Sequence, residues 1–398
     1  MSSTASVSGG RAKLCVGLLV LLAFALGCTE FAVIGIEPEL CDAFGAALAE
    51  VGRLISLYAI TYAVSTPVLA LVTGRFRRFT LLLAYAAVFI AGNAIAAFAG
   101  SLAVMEVARV VCGLVSGSLL ALGVTFLPEL VDEKKTSLAV AVVYGAFSVA
   151  MVLATSAGKM LAATLGWRSV MFASLVFAVL SCALLVAFLP REGATDEPAG
   201  VRDQIGLLAE PSVLACIAVF VFGIGSIYVF YGYVTPYLEE FLGLSTSEAS
   251  MALLVYGVIL FVSNMMSGVL DEKFGLKANV VVFVVQAVVL AVMWAVGNAM
   301  PAALVVIMVF GLLMYLCSVP CVTLFMRMAS ERHPKALTLA SSLEPAAFNV
   351  GISFGTAIGG VVVSAAGLGT VGLVGAVMAL AACACAAAAA KLEPKPAE

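Results

Sequence analysis

The run Phe79-TLLLAYAAVFIAGNAIAAFAGSLAV-Met105 holds 27 residues without a charge, closed by Arg77 and Arg78 on one side and by Glu106 on the other. A helix needs about 20 predominantly apolar residues to cross about 30 Å of hydrocarbon, so this stretch is long enough to span a bilayer. Thr136 to Gly158, with 23 uncharged residues, and Pro211 to Leu238, with 28, repeat the pattern. The whole chain of 398 residues is 64% hydrophobic and 11% charged, which leaves too little polar surface to cover a soluble particle of that size. The sequence therefore reads as an all-α protein embedded in a membrane through many spans.

Several functions fall away on the same grounds. A net charge of -3 supplies no polybasic field, so a nucleic-acid partner has no electrostatic warrant. Ten cysteines with no C-x-x-C spacing and a single histidine read as small core or lipid-facing residues, with neither a metal nor a cofactor expected. The sequence holds no G-x-x-x-x-G-K-[S/T] phosphate loop, no H-E-x-x-H and no G-x-S-x-G. The expectation is a protein that is not an enzyme, and uphill movement of a solute would draw on an ion gradient.

Cutting the chain at charges, glycines and prolines predicts twelve spans, at 14–34, 49–73, 79–100, 102–127, 136–160, 169–189, 212–238, 247–270, 278–297, 301–326, 337–363 and 369–390. The sizeable polar connection lies at 191–210, carries Gly193, Pro198 and Gly200, and reads as a flexible linker between six-helix bundles at 14–190 and 211–390. Tails at 1–13 and 391–398 complete the division. With both tails cytoplasmic, 16 of the 20 basic residues fall on cytoplasmic segments and three on outer ones, which sets the orientation. The halves echo one another: a basic turn, Gly74, Arg75, Arg77 and Arg78, follows the second span, and Asp271, Glu272, Lys273, Gly275 and Lys277 follow the eighth. Repeated halves around a central pathway characterise transporters.

Polar groups at membrane depth are the informative ones, because hydrocarbon offers them nothing to bond. Glu30, late in the first span, suits a group that loads and releases a proton, or an interfacial acid at the outer helix end. Glu106 and Arg109 stand at i, i+3 on the fourth span and read as a mutually neutralising pair, structural or proton-linked. Gly113 and Gly117 continue that face at four-residue spacing, sites of close backbone approach. Glu344 precedes Pro345 in the eleventh span, with Asn349, Gly351, Gly355 and Gly359 beyond it; a relaxed helix with a cavity-lining acid is the expectation, against a solvated carboxyl near the helix end. Tyr58, Tyr62, Asn93, Tyr228, Tyr231, Tyr256, Asn264 and Gln286 are further cavity candidates, each also explicable as packing.

These features together resemble the major facilitator superfamily, and within it the twelve-span drug/proton antiporter branch that includes bacterial arabinose-efflux-like and purine-efflux-like permeases. The resemblance covers residues 14 to 390. Arg109, Gly113 and Gly117 match the fourth-span motif, whose arginine the family associates with proton coupling. Gly74-Arg75 with Arg77-Arg78 resembles the loop that gates the inward side, with Gly74 in place of the usual aspartate; the second copy has Glu272 at the acidic position. The fifth-span antiporter motif is eroded to Gly158 before Gly166-Trp167-Arg168. Thr29-Glu30-Phe31 and Ala347-Phe-Asn349-x-Gly351 resemble the efflux branch's first and eleventh spans. The resemblance implies proton-coupled efflux of a small organic solute or drug by alternating access, in a bacterial cytoplasmic membrane, with one chain as the working unit. Proton-coupled import of a sugar, nucleoside or amine is the competing expectation.

Overall fold

The structure, a computed structural model of the chain, describes residues 9–73, 76–131, 133–189 and 206–393. Gly74 and Arg75 of the first basic turn, most of the expected linker and the extremities of both tails lie outside the described residues. Among the described residues, regular structure is all helical.

The first half contains α1 (Gly9–Gly35), α2 (Glu37–Phe44), α3 (Leu48–Thr73), α4 (Arg78–Ala97), α5 (Leu102–Val124), α6 (Glu133–Leu165) and α7 (Trp167–Phe188). The second contains α8 (Pro211–Tyr231), α9 (Thr246–Phe274), α10 (Lys277–Val296), α11 (Ala302–Gly311), α12 (Ser318–Arg332), α13 (Leu337–Ala366) and α14 (Val371–Leu392). Eleven helices among the described residues are long and apolar enough to cross a bilayer. Local chemistry sets their ends. Ser101 accepts the N–H of Val104 at the start of α5, and Ser245 and Glu248 form a reciprocal capping box at the start of α9. Gly166, at φ +81°, makes the one-residue turn from α6 to α7, a conformation that a Cβ would strain. The connection between the first two spans is itself helical: Pro38 in the first turn of α2 and Glu39 beside the helix's positive end favour it.

The tenth span departs from expectation. In place of one helix over 301–326, α11 and α12 flank a non-helical stretch at 312–317. Pro320 has no N–H to give Leu316, so an unbroken ladder is impossible there. Two neighbouring helices, α9 and α10, supply the missing bonds. Ser263 accepts the N–H of Tyr315 at 3.0 Å, Ser267 accepts that of Val319 at 3.1 Å and donates to the Leu316 carbonyl at 3.0 Å, and Asn279 donates to the Cys317 carbonyl at 3.2 Å. Broken backbone at membrane depth is tolerated where neighbours satisfy it in this way. The eleventh span differs in the opposite sense, since α13 runs through Pro345 unbroken and Asn349 caps the Pro345 carbonyl at 3.1 Å.

Packing within the two halves follows one scheme. The first helix of each bundle packs on the fifth and sixth (α1 on α6 and α7; α8 on α13 and α14), and the third packs on the sixth (α4 on α7; α10 on α14). The halves meet along α3 with α13 and along α6 with α9. Small residues make close seams possible inside each half: a Cβ at Gly113 would stand 2.6 Å from the Tyr58 carbonyl, and one at Gly351 would stand 2.6 Å from that of Phe220. Gly117 and Gly355 are equally crowded, against Tyr62 and Gly225, and Gly359 packs on Val229 and Tyr233. Gly158 is the exception among the expected packing glycines, because a Cβ there would meet Val170 at an ordinary 3.6 Å. Gly9 and Leu392 lie at one end of the bundle, here the proximal end; α2 and the 232–245 connection lie at the other, the distal end.

Candidate functional site

Arg109 sits on α5 at the centre of the first half, 4% exposed. Its guanidinium donates to three main-chain carbonyls: Leu54 on α3 at 3.1 Å, Glu30 on α1 at 2.8 Å, and Thr29 on α1. It also lies over the Tyr58 ring, 4.3 Å from the centroid. Among the described residues no carboxylate forms an ion pair with it. The expected Glu106–Arg109 pair is thus not formed; Glu106 instead accepts from Arg53 at 3.2 Å, on a half-exposed face. The reason is geometric: Arg109 points into the bundle, while Glu106, one turn earlier, reaches toward the start of α3. Sequence spacing alone cannot distinguish these directions.

Glu30 is 5% exposed, and its Oε2 has no hydrogen-bond partner. The small void beside it, too tight to admit a water, is walled by Glu30, Tyr58 and Arg109 from the first half and by Tyr228 and Ile352 from the second. The expected proton-linked acid and arginine therefore share one space at the seam of the halves. The hydroxyls of Tyr58, Tyr228 and Tyr256 are enclosed without protein partners, an arrangement that buried polar groups seldom adopt unless something else bonds them.

Aromatic rings continue this wall. Tyr228 meets Tyr231 edge to face at 5.4 Å, Tyr231 stacks on Tyr256 at 5.5 Å, and Tyr58 lies 6.3 Å from Tyr62. Tyr315, which the sequence pattern did not single out, stacks on Phe348 at 5.6 Å and donates across the seam to Met151 Sδ at 3.3 Å. Its place on the broken stretch before Pro320 was the available signal. Glu344 is partly buried on α13, within electrostatic reach of Tyr62 and Tyr144 in the first half and of Tyr315 in the second. Asn349, between one and two turns further along α13, is 5% exposed with an unpartnered Oδ1.

Two of the expected cavity residues make hydrogen bonds inside their own halves, and Asn93 also lines a small void there with Thr29, Arg109 and Cys112. Asn93 accepts from Thr29 at 2.9 Å and donates to Phe89, between α1 and α4. Gln286 donates to Ser226 at 2.5 Å, between α8 and α10. These are equivalent places in the repeated packing scheme, polar links from the third helix of each half to the first. Asn264 is exposed on α9, on the face that carries Gly257 against Val152 of α6 one to two turns away. Phe261 on that face closes an apolar crevice of about 600 Å³ between α1 and α6, lined also by Gly17, Val20, Phe24 and Gly145. Apolar residues on an apolar helix gave no sequence signal for it.

At the proximal end, Arg78 donates to the Thr125 carbonyl at 3.3 Å, and Asp271 accepts from Thr323 at 2.6 Å. These two bonds lie within their own halves, and in the second copy the engaged acid is Asp271, while Glu272, Lys273 and Lys277 are exposed. Arg77 is exposed at the start of α4, and Gly275 takes φ +55° to end α9. At the distal end, Lys159, 2% exposed, bonds Glu39 at 2.6 Å and Glu239 of the other half at 2.7 Å. The sequence placed these charges in outer connections without joining them.

The Major Facilitator Superfamily profile matches residues 19–343 and 215–398. The chain is 32% identical over 364 residues to an uncharacterised MFS-type transporter, YtbD of Bacillus subtilis (strain 168), covering 90% of this chain and 91% of that one. Its fold is similar to that of a bacterial homologue of the human lysosomal transporter Spinster in an inward-facing, unoccupied conformation, with TM-score 0.75, 16% identity, and coverage of 97% and 99% of the two chains. It is also similar to the xylose transporter XylE from E. coli in a partially occluded inward-open conformation, with TM-score 0.72, 17% identity, and coverage of 94% and 97%.

Proposed function

Because this chain belongs to the Major Facilitator Superfamily, we propose that its transport of a small organic solute proceeds by alternating access coupled to proton movement. The family makes it a secondary transporter and not an enzyme. The observation that carries the proton-coupled reading is the shared space of Glu30 and Arg109, walled from both halves. Rocking of residues 14–190 against 211–390 exposes that wall to one side and then the other. Glu30 takes up and gives up the proton, Arg109 supplies a fixed positive charge beside it, and the unpartnered tyrosine hydroxyls with Glu344 and Asn349 meet the solute. Coupling arises because proton and solute affinities each depend on which side is open. The distribution of lysines and arginines along the chain supports a proximal end in the cytoplasm of a bacterium and a distal end outside. Span ten is supplied by α11 and α12 together, which gives twelve crossings with a single chain as the working unit.

Efflux by proton exchange follows from the first-span and eleventh-span resemblance. A second reading, import of a solute such as a sugar, nucleoside or amine with protons, is favoured by the eroded fifth-span motif, whose surviving Gly158 makes no close approach, and by the likeness to a xylose transporter. Purified protein in sealed proteoliposomes with a lumenal pH dye separates them. A panel of amines, nucleosides, pentoses and aromatic drugs is added, with Glu30→Gln as control. Proton movement opposite to the solute supports exchange, movement with it supports import, and solute flux without any proton signal removes the role given to Glu30.

A further inference from the structure

Five acids, Glu37, Glu39, Asp42, Glu239 and Glu240, and one lysine are gathered where the halves close over the distal end. Lys159, on α6, clasps Glu39 of its own half and Glu239 of the other, so a single ammonium ties the two bundles together. Beside the clasp, Thr235 of the second half donates to the Ile34 carbonyl of the first at 2.5 Å. Residues 237–241 form a π-helical turn, a local widening of the helix that presents Glu239 and Glu240 toward α2. Glu37, in the first turn of α2, is wholly enclosed here, and neither of its carboxyl oxygens has a hydrogen-bond partner. Lys159 is already engaged by two other carboxylates. An ionised carboxylate enclosed without a donor is strongly disfavoured, whereas a protonated one is not.

We propose that Glu37 is a proton-binding site built into the distal gate: it is protonated while Lys159 clasps Glu39 and Glu239, and it releases that proton to the distal solution when the clasp parts. The proton exchanges with one side only, since Glu37 is enclosed whenever the distal end is shut. It is therefore a different proton from the one assigned to Glu30, and it sets which way the transporter faces at a given outside pH. Sidedness rests on the reading above; the proton site itself does not.

The groups within electrostatic reach of Glu37 are Lys159 on α6, Glu240 on the 237–241 turn, Tyr233 after α8 and Cys41 on its own helix, while Asp42 and Glu239 act on Glu240 and Glu39 is held by Lys159. Burial, then Glu240, hold the Glu37 carboxyl well above the usual carboxylate range, with Lys159 opposing. An open gate returns it to water and to a value of about 4.3. Protons thus bind the shut state more tightly. Their preference for the shut gate is complete below the open-state value and is lost as pH rises through the raised one. Between the two values, the open-to-shut ratio changes by up to about tenfold per pH unit for one proton.

The test is a distance measurement across the gate on the full chain in lipid nanodiscs without solute. Spin labels go on the exposed positions Ala43→Cys and Ser247→Cys, one on each half, with the native cysteines replaced. Pulsed dipolar spectroscopy is then recorded from about pH 5 to about pH 9. The expected result is a longer-distance population that grows with pH. Glu37→Gln holds the short distance throughout, and Lys159→Met raises the long-distance population at every pH. Glu240→Gln, at an exposed position, moves the midpoint to lower pH by removing the acid that opposes ionisation of Glu37. Glu30→Gln leaves the titration unaltered, which keeps this proposal separate from the coupling role of Glu30. A distance independent of pH in the parent, an unmoved midpoint in Glu240→Gln, or a Glu37→Gln protein that titrates like the parent would overturn it.

Discussion

Arg109 reaches Glu30 through the backbone and not through the carboxylate: its Nη2 donates to the Glu30 main-chain carbonyl at 2.8 Å, while the side-chain Oε2 of Glu30 has no partner. The arginine therefore holds α1 whichever protonation state Glu30 adopts. Stability and coupling should separate on mutation. Glu30→Gln keeps every Arg109 bond and is expected to change stability by less than about 1 kcal/mol while abolishing the proton signal in proteoliposomes. Arg109→Ala removes three buried hydrogen bonds that tie α5 to α1 and α3, and a loss of about 1–3 kcal/mol for each is expected. Thermal unfolding of both variants in detergent, beside the dye assay, checks the pair; an equally destabilised Glu30→Gln would show that the carboxylate is structural.

Glu106 makes the converse case. Its partner is Arg53, whose side chain is 55% exposed, so the pair is worth about 0–1 kcal/mol. Glu106→Gln should leave both the melting temperature and the proton-to-solute ratio near those of the parent. A variant that transports solute but has lost proton movement would place Glu106 back among the coupling groups.

How far the sequence carried the reading depends on what each residue had to compete with. Charge-free runs set the spans, because nothing but hydrocarbon rewards 27 uncharged residues such as Phe79 to Met105. Glycines at four-residue spacing marked the close seams at Gly113, Gly117, Gly351 and Gly355. Direction around a helix was not legible: Asn93 and Gln286 are polar at membrane depth, as cavity residues are, yet each bonds a neighbour inside its own half. Long-range partners were equally hidden. Lys159 and Glu239 are 80 residues apart, and the sequence carries no trace of their contact.

The broken tenth span supplies a stability test. Ser267 is a bridge with two bonds, accepting the Val319 N–H and donating to the Leu316 carbonyl. Ser267→Ala leaves both backbone groups unbonded in a buried place, at a cost of about 1–3 kcal/mol each. Ser263→Ala leaves only the Tyr315 N–H and should cost about half as much. Tyr315 carries the ring that stacks on Phe348, so the Ser263 variant, which frees the Tyr315 N–H, should also weaken solute binding, read as a raised apparent KM with the proton-to-solute ratio unchanged.

The glycine seams make the last prediction, through a comparison of two positions. At Gly355 an added side chain runs into the backbone of Gly225 on α8, and neither helix can yield without moving the other. Gly355→Val is expected to cost about 1–3 kcal/mol or more and to lower the yield of folded protein, since overpacking a tight seam forces backbone shifts. Gly158→Ala adds a methyl at an ordinary 3.6 Å from Val170 and places a better helix former inside α6. It should be neutral or stabilising by up to about 1 kcal/mol. Transport by Gly158→Ala at the parent rate would mean that the surviving glycine of the fifth span does not set direction. Reversal of the proton signal with folding intact would show that it does, and thermal melting alongside the dye assay distinguishes either result from simple destabilisation.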